Sequence, residues 1–158
     1  MNKPVYLGVY AFGIGSMIVN DAFYADIEEI TLVETVEQEA DSLTIILKDP
    51  DFKYVDGAFF REDTPVNFRG GWDDNTVLEF EGFISVIDVD FPEDGIPTLT
   101  ITCMDNSRKM NYQKKKRTWE NVKLSDVIRI LAAEHGLVPD VEEIGEIKPI
   151  ISQGDVTD

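Results

Sequence analysis

The chain has 158 residues, which is enough for one domain, or for one domain and part of a second. Its 31 acidic residues against 14 basic ones leave a net charge of −17, and such a field repels nucleic acid and anionic lipid. This disfavours sequence-specific nucleic-acid binding, and no apolar run approaches the roughly 20 residues of a membrane span. The single cysteine, Cys103, excludes an intrachain disulfide and a cysteine-based metal cluster.

The first hundred residues show the two-residue alternation of apolar and polar side chains that is typical of strands. The clearest run is Ser42–Lys48, and the run 99–103 alternates with threonines and includes Cys103 as a core residue. Glycines at 13 and 15 predict a turn after the opening strand. Short turns join the runs, which predicts antiparallel pairing in a β-barrel-like unit or a strongly bent sandwich. The predicted strands are 5–9, 16–20, 26–36, 42–48, 66–70, 77–91 and 99–103.

Two irregularities interrupt this alternation. The apolar phase is lost near Val33, which predicts a bulge or a sheet edge. In the long run 77–91 the apolar parity changes after Gly82, from Leu78 and Phe80 to Phe83. A parity change at a glycine predicts a bulge or a sharp barrel bend there.

The composition changes after residue 104. A cluster of six basic residues precedes a helix predicted over 124–135, with Ser125 as an N-cap-type hydroxyl and Gly136 at the left-handed C′ position. A short strand around Ile150 follows, and the last six residues predict no closing element. The basic residues are Arg108, Lys109, Lys114, Lys115, Lys116 and Arg117. The apolar stripe of the helix is Leu124, Val127, Ile128, Leu131 and Ala132.

These elements predict a mainly β protein in two parts. Residues 1–117 form an antiparallel β-barrel-like domain. Residues 118–158 form a junction helix and the start of a second α+β domain, which we expect to be truncated.

The residue types needed for catalysis are scarce. The one histidine, His135, stands at the helix C-terminus, where the dipole favours a cation, so capping is the favoured interpretation. The Gly13–Gly15 pair lacks the third glycine of a dinucleotide site. Asp49, Asp51, Asp88 and Asp90 give only a weak calcium pattern. We therefore predict no catalytic, cofactor-binding or metal-binding residue, and no cofactor.

Two interpretations of the basic cluster stay open. It can pair with acids of this chain or of a neighbouring subunit, or it can contact DNA. The strongly acidic surroundings favour pairing.

The order of the motifs resembles one known family. These are EADSLTIILKDPD, VNFRGGW, EFEGFISVIDVDF and LTITCMDNSRKM, followed by the junction KKKRTWENVKLSDVIRILAAEHGL. The chain resembles, over about residues 4–140, the N-terminal part of the phage late control protein D family, the tail or baseplate hub of contractile-tailed phages. The helix signature is the most specific part, and its matching positions are Trp119, Leu124, Asp126, Ile128, His135 and Gly136.

The resemblance implies a structural, non-enzymatic protein of the virion, assembled in the cytoplasm of the bacterial host. Such hubs are homotrimers in which each subunit supplies two similar barrels. The six barrels match the tail tube protein on one side, and the trimer receives the central spike protein on the other. Other baseplate proteins are further partners. An acidic inner wall, inferred from the net charge, would let DNA slide without sticking. Family members are a few hundred residues long, so we expect this chain to lack the second half.

Two other functions compete with this one. A carbohydrate- or peptide-binding β-barrel module would use Trp72, Phe59 and Phe60 to contact its ligand. A cell-wall hydrolase would use paired acids such as Asp73 and Asp74.

Overall fold

The computed structural model describes residues 9–35, 40–57, 59–72, 75–111 and 113–157. The chain divides into two compact units, Met1–Asp105 and Asn106–Asp158. The sequence-based boundary after residue 117 falls inside a strand of the second unit. The basic segment before that residue therefore belongs to the second unit, because its strand pairs with the C-terminal strand and not with the large sheet.

The first unit is a six-stranded antiparallel sheet that forms a half-barrel, so the predicted mainly β, barrel-like fold is confirmed. Its spatial order is β1-β4-β5-β6-β3-β2. Two short helices that the sequence did not predict interrupt the strands: α1 (Asp21–Asp26) and α2 (Lys53–Asp56). The strands are β1 (Val9–Ile14), β2 (Ile27–Val33), β3 (Ser42–Lys48), β4 (Pro65–Trp72), β5 (Asn75–Asp90) and β6 (Thr98–Asp105).

The centre of the core is the pairing of β3 with β6. The register places Ile45 opposite Ile101 and Leu43 opposite Cys103, and all four side chains are buried. This is the face that the two-residue alternation predicted, since successive side chains of a strand point to opposite faces. Burial raises the pKa of the Cys103 thiol to about 12, so this cysteine is a core residue and a poor nucleophile.

The bulges lie elsewhere than predicted. In β5 the pairing with β6 shifts between Ile84 and Val86, not at Gly82, and in β2 it shifts between Ile27 and Glu29, not near Val33. The alternative prediction for Val33, a sheet edge, is confirmed, because Val33 ends β2 and β2 is an edge strand. Residue 82 is a glycine for a different reason. A Cβ added there would lie 2.2 Å from the carbonyl oxygen of Met104 on β6, so a glycine lets the two backbones approach closely.

The predicted strand over 16–20 is wrong. That segment is irregular and ends at Asn20, whose side-chain oxygen accepts a hydrogen bond from the Phe23 amide (3.1 Å) and caps α1. Gly13 lies inside β1 and not in a turn, whereas Gly15 does turn the chain with a φ of 50°. Residues 5–8 of the predicted opening strand lie outside the described residues.

The second unit contains a 3-10 helix (Asn106–Asn111), β7 (Lys115–Val122), α3 (Leu124–Glu134) and β8 (Lys148–Val156). β7 and β8 pair antiparallel, with Trp119 opposite Ile151. The prediction that no element forms over residues 153–158 is therefore wrong. Most of the last residues belong to β8, because their backbone groups pair with the basic segment.

α3 confirms the predicted helix and its C-terminal stop. Gly136 has a φ of 71°, its amide donates to Ala133 and the Leu137 amide donates to Ala132 (2.9 Å), which is a Schellman motif. Ser125 lies in the first turn as predicted, but it does not cap the helix. Lys123 is the N-cap residue, and the buried Ser125 hydroxyl has no hydrogen-bond partner within the described part of the chain. The apolar stripe is only partly buried.

A pair of neighbouring alanines tests which face of α3 is packed. Ala132 is buried and Ala133 is exposed. We expect Ala132→Asp to lower the free energy of α3 opening by about 2 kcal/mol or more, because a carboxylate would enter an apolar contact. Ala133→Asp places a carboxylate at the same end of the helix dipole but in solvent, and it should lower the free energy of α3 opening by no more than about 0.5 kcal/mol. Hydrogen exchange of the α3 amides measures both, and equal losses would contradict this packing.

Candidate functional site

A cavity of about 770 Å³ in the first unit lies where β1, α1, α2 and the loop before β4 meet. Its apolar lining includes Ile14, Phe23 and Phe59. Lys53 and Arg61 add two cationic side chains to the lining. The turn at Gly15 helps to form this cavity, because its amide donates to the Pro65 carbonyl (2.8 Å) and holds the end of β1 against β4.

A hydrogen-bonded cluster of Asp26, Lys53 and Tyr54 adjoins the cavity. The Tyr54 hydroxyl donates to Asp26 Oδ2 (2.7 Å), and the Lys53 ammonium donates to the same oxygen (2.5 Å) while lying 4.6 Å from the Tyr54 ring. Burial alone would raise the pKa of Asp26, but the hydrogen bonds from Lys53 and Tyr54 lower it overall. The hydrogen bond to Asp26 raises the pKa of Lys53. This arrangement joins α1 to α2.

The cluster predicts a dependence of stability on pH. Burial and the hydrogen bond to Asp26 raise the pKa of Tyr54 from 10.0 to about 12, so the folded state favours the protonated phenol. That stabilisation is complete below about pH 10 and is lost as the pH rises towards 12. We expect the free energy of unfolding of the wild type to fall more steeply over this interval than that of Tyr54→Phe. Urea unfolding at each pH measures the difference, and parallel curves would contradict it.

The carboxylates proposed as a weak calcium pattern do not form a metal site. Asp49 is buried and its oxygens accept from the backbone amides of Tyr54 (3.0 and 3.2 Å) and Val55 (3.0 Å), which gives it a structural role at α2. Asp88 and Asp90 are exposed on β5. Within the described ranges, no three His, Cys, Asp or Glu residues are grouped so as to hold a metal ion.

Of the aromatic residues of the ligand-binding alternative, the two that are described, Phe59 and Phe60, do not form an exposed platform. Phe60 is buried and its ring lies 5.9 Å from that of Tyr54, whereas Phe59 is half exposed and lines the cavity. The side chain of Trp72 and the pair Asp73 and Asp74 lie outside the described residues.

Two members of the basic cluster, Lys115 and Arg117, pair with an acid of the same chain. Arg117 Nη1 lies 2.6 Å and Lys115 Nζ 3.9 Å from Glu134 Oε2 on α3. The Arg117 guanidinium also lies 5.9 Å from the centre of the Trp119 ring. This geometry favours the pairing interpretation over DNA contact. His135 is the C-cap residue of α3, at the helix end where capping was predicted.

Comparison with known proteins gives a family and a fold. A family model described as Alg8 N-terminal domain matches residues 28–158, a description that does not name late control protein D. No curated protein matches the sequence. No helix among the described residues has the length and apolar character to cross a membrane.

Two solved structures share the fold. One is the 43 kDa tail protein of prophage MuSo2 from Shewanella oneidensis, with a TM-score of 0.68 and 12% identity, covering 94% of this chain and 44% of that one. The other is the tail protein from Neisseria meningitidis MC58, with a TM-score of 0.53 and 13% identity, covering 79% of this chain and 34% of that one. This chain spans less than half the length of either protein.

Proposed function

The chain belongs to the Alg8 N-terminal domain family, and from its fold, shared with two tail proteins, we propose that it is a structural protein of a phage tail or of a related injection device. The observation that carries the proposal is the match over 94% of this chain to the prophage MuSo2 tail protein. At 12% identity the match concerns the backbone arrangement, so the role itself is our proposal.

Within such a tail we propose the place of the hub, between the tail tube protein and the central spike protein. The half-barrel followed by a junction helix supports this, since it is the order of parts that the motifs share with the late control protein D family. We propose that the full-length protein is a homotrimer of the virion that also contacts other baseplate proteins. Its assembly would take place in the cytoplasm of the bacterial host.

We also propose that the protein is not an enzyme. The side chains with catalytic potential have structural places: Cys103 is buried in the sheet, His135 ends α3 and Asp49 holds the α2 turn. The exposed Glu79 and Glu81 lie on the outer face of β5, and Glu79 pairs with Arg69 (3.4 Å). Turnover of peptidoglycan that disappears on substituting an acidic pair would overturn this part of the proposal.

The location of the protein in native particles is the decisive test. Purified tails should be examined by electron microscopy with a gold-labelled antibody to this chain. Label at the junction of tube and spike is the expected result. Label elsewhere on the tail would contradict the proposed hub position and leave the proposed role as a tail protein standing. Particles without label would contradict both proposals.

A further inference from the structure

Five apolar side chains are exposed at one end of the half-barrel, and we refer to them as the β5-end patch. Two of them are aromatic: Phe52 is 38% exposed and Phe91, directly after β5, is 60% exposed. Their ring centres lie 5.8 Å apart. The members of the patch are Phe52, Val55, Val89, Phe91 and Ile96.

The sheet brings these residues together because three strands end at the same place. Thr98 at the start of β6 pairs with Lys48 at the end of β3 and with Asp90 at the end of β5. The Asp49 amide then donates to the Pro97 carbonyl (2.8 Å), which holds the segment carrying Phe52 beside the segment carrying Ile96. Val89 lies near the end of β5, two residues before Phe91.

The backbone at Phe52 is in a conformation that this residue type rarely adopts. Its φ is 56° and its ψ is 21°, the left-handed region that glycine and asparagine occupy at much lower cost. Phe52 is also the N-cap residue of α2, a position that a polar side chain would cap, and its ring cannot do so. The buried Asp49 accepts the backbone amides of Tyr54 and Val55 instead. The turn thus holds an aromatic ring at the surface in a strained position, which points to a contact made by that ring.

The surroundings of the patch are acidic. Asp51, Asp90 and Glu93 are exposed, and they have no ion-pair partner within the part of the chain that the structure describes. The same holds for Asp56 and Asp94. The nearby cations are already paired, Lys48 with Glu28 (3.8 Å) and Lys53 with Asp26 (2.5 Å). The patch therefore combines an apolar centre with an uncompensated negative rim.

We propose that the β5-end patch docks a different protein of the same assembly, one that presents apolar side chains ringed by Lys or Arg. An apolar centre with a charged rim is the usual form of a specific interface, and aromatic residues contribute most to such contacts. The same patch of a second copy is a poor occupant, because the two acidic rims would place acid against acid. The proposal relies on the proposed function only for where the partner is found.

Site-specific photocrosslinking in the producing cells tests this partner. The full-length protein should carry benzoylphenylalanine at position 91, and in a matched version at position 59, an aromatic that is 50% exposed in the same unit but lies at the cavity. We expect position 91 to give at least about tenfold more crosslinked product than position 59, joined to a Lys- or Arg-rich segment of another protein. The yield in purified complexes should fall as salt rises from about 0.05 to 0.5 M. A product joined to a second copy, a segment without basic residues, or equal yields would overturn the proposal.

Phe52→Gly separates docking from folding. Glycine accepts the φ of 56°, so we expect the thermal midpoint not to fall, while the crosslinked yield at position 91 falls at least about tenfold. A lowered midpoint or an unchanged yield would count against the role assigned to the Phe52 ring. The proposed function is tested separately. Label on particles without crosslinks from position 91 would overturn the docking alone, and crosslinks to a basic partner from protein absent from particles would overturn the tail role alone.

Discussion

Phe68→Ala should lower the free energy of unfolding of the first unit by about 3–5 kcal/mol, the largest loss expected from any single truncation here. Phe68 on β4 is only 1% exposed, and its ring lies 5.0 Å from that of Phe12 on β1. Phe12 in turn contacts Phe23 on α1 (5.9 Å), so the cavity left by the truncation would loosen the packing of β4, β1 and α1 at once. Urea unfolding followed by far-UV circular dichroism measures the loss.

The matched control for this truncation is Phe91→Ala in the same unit. Phe91 is largely exposed, so its truncation should change the free energy of unfolding by no more than about 0.5 kcal/mol. If both variants lost the same free energy of unfolding, the burial of the Phe68 ring would not be what stabilises the half-barrel.

Asp49→Ala is expected to have the second largest effect, a loss of about 3 kcal/mol. The substitution leaves the backbone amides of Tyr54 and Val55 without their acceptor, and an unsatisfied buried donor costs about 1–3 kcal/mol. It also releases the α2 turn that positions Lys53 and Tyr54 against Asp26. Urea unfolding at neutral pH measures the loss.

Asp49→Asn provides the comparison, because the amide keeps one carbonyl oxygen that can accept a hydrogen bond from α2. It should lose about half as much as Asp49→Ala. Equal losses in the two variants would show that the carboxylate charge, and not its capacity as an acceptor, holds the turn.

The pattern of the chain determined the elements whose signal is local. The alternation over Ser42–Lys48 predicted both the bounds of β3 and the side chains that it buries. The 3.6-residue period predicted α3, and Gly136 predicted its end. These predictions succeeded because a strand or a helix places side chains on fixed faces. The spacing of apolar residues therefore indicates which face is buried.

Tertiary structure decided the features that depend on a distant partner. The pattern around Gly82 predicts a bulge or a sharp bend there, but the glycine allows a close approach to the Met104 backbone, and the bulge lies past Ile84. The sequence places Asp49 in a weak calcium pattern, but the structure shows that its side chain holds the α2 turn. Neither role could be inferred from neighbours in sequence, since each is set by which backbone groups the folded chain brings within a few ångströms.

In the second unit and at the candidate surfaces, too, the sequence shows which residues are present and the fold decides which of them meet. The charges of Lys115 and Arg117 are evident in the sequence, yet only the packing of α3 on β7 places them against Glu134. Phe52 and Phe91 are far apart in the chain and meet because three strands end together. The sequence by itself determined the local geometry and the acidic charge of this protein. The pairing of strands decided which side chains share a surface, because strand pairing brings residues distant in sequence into contact.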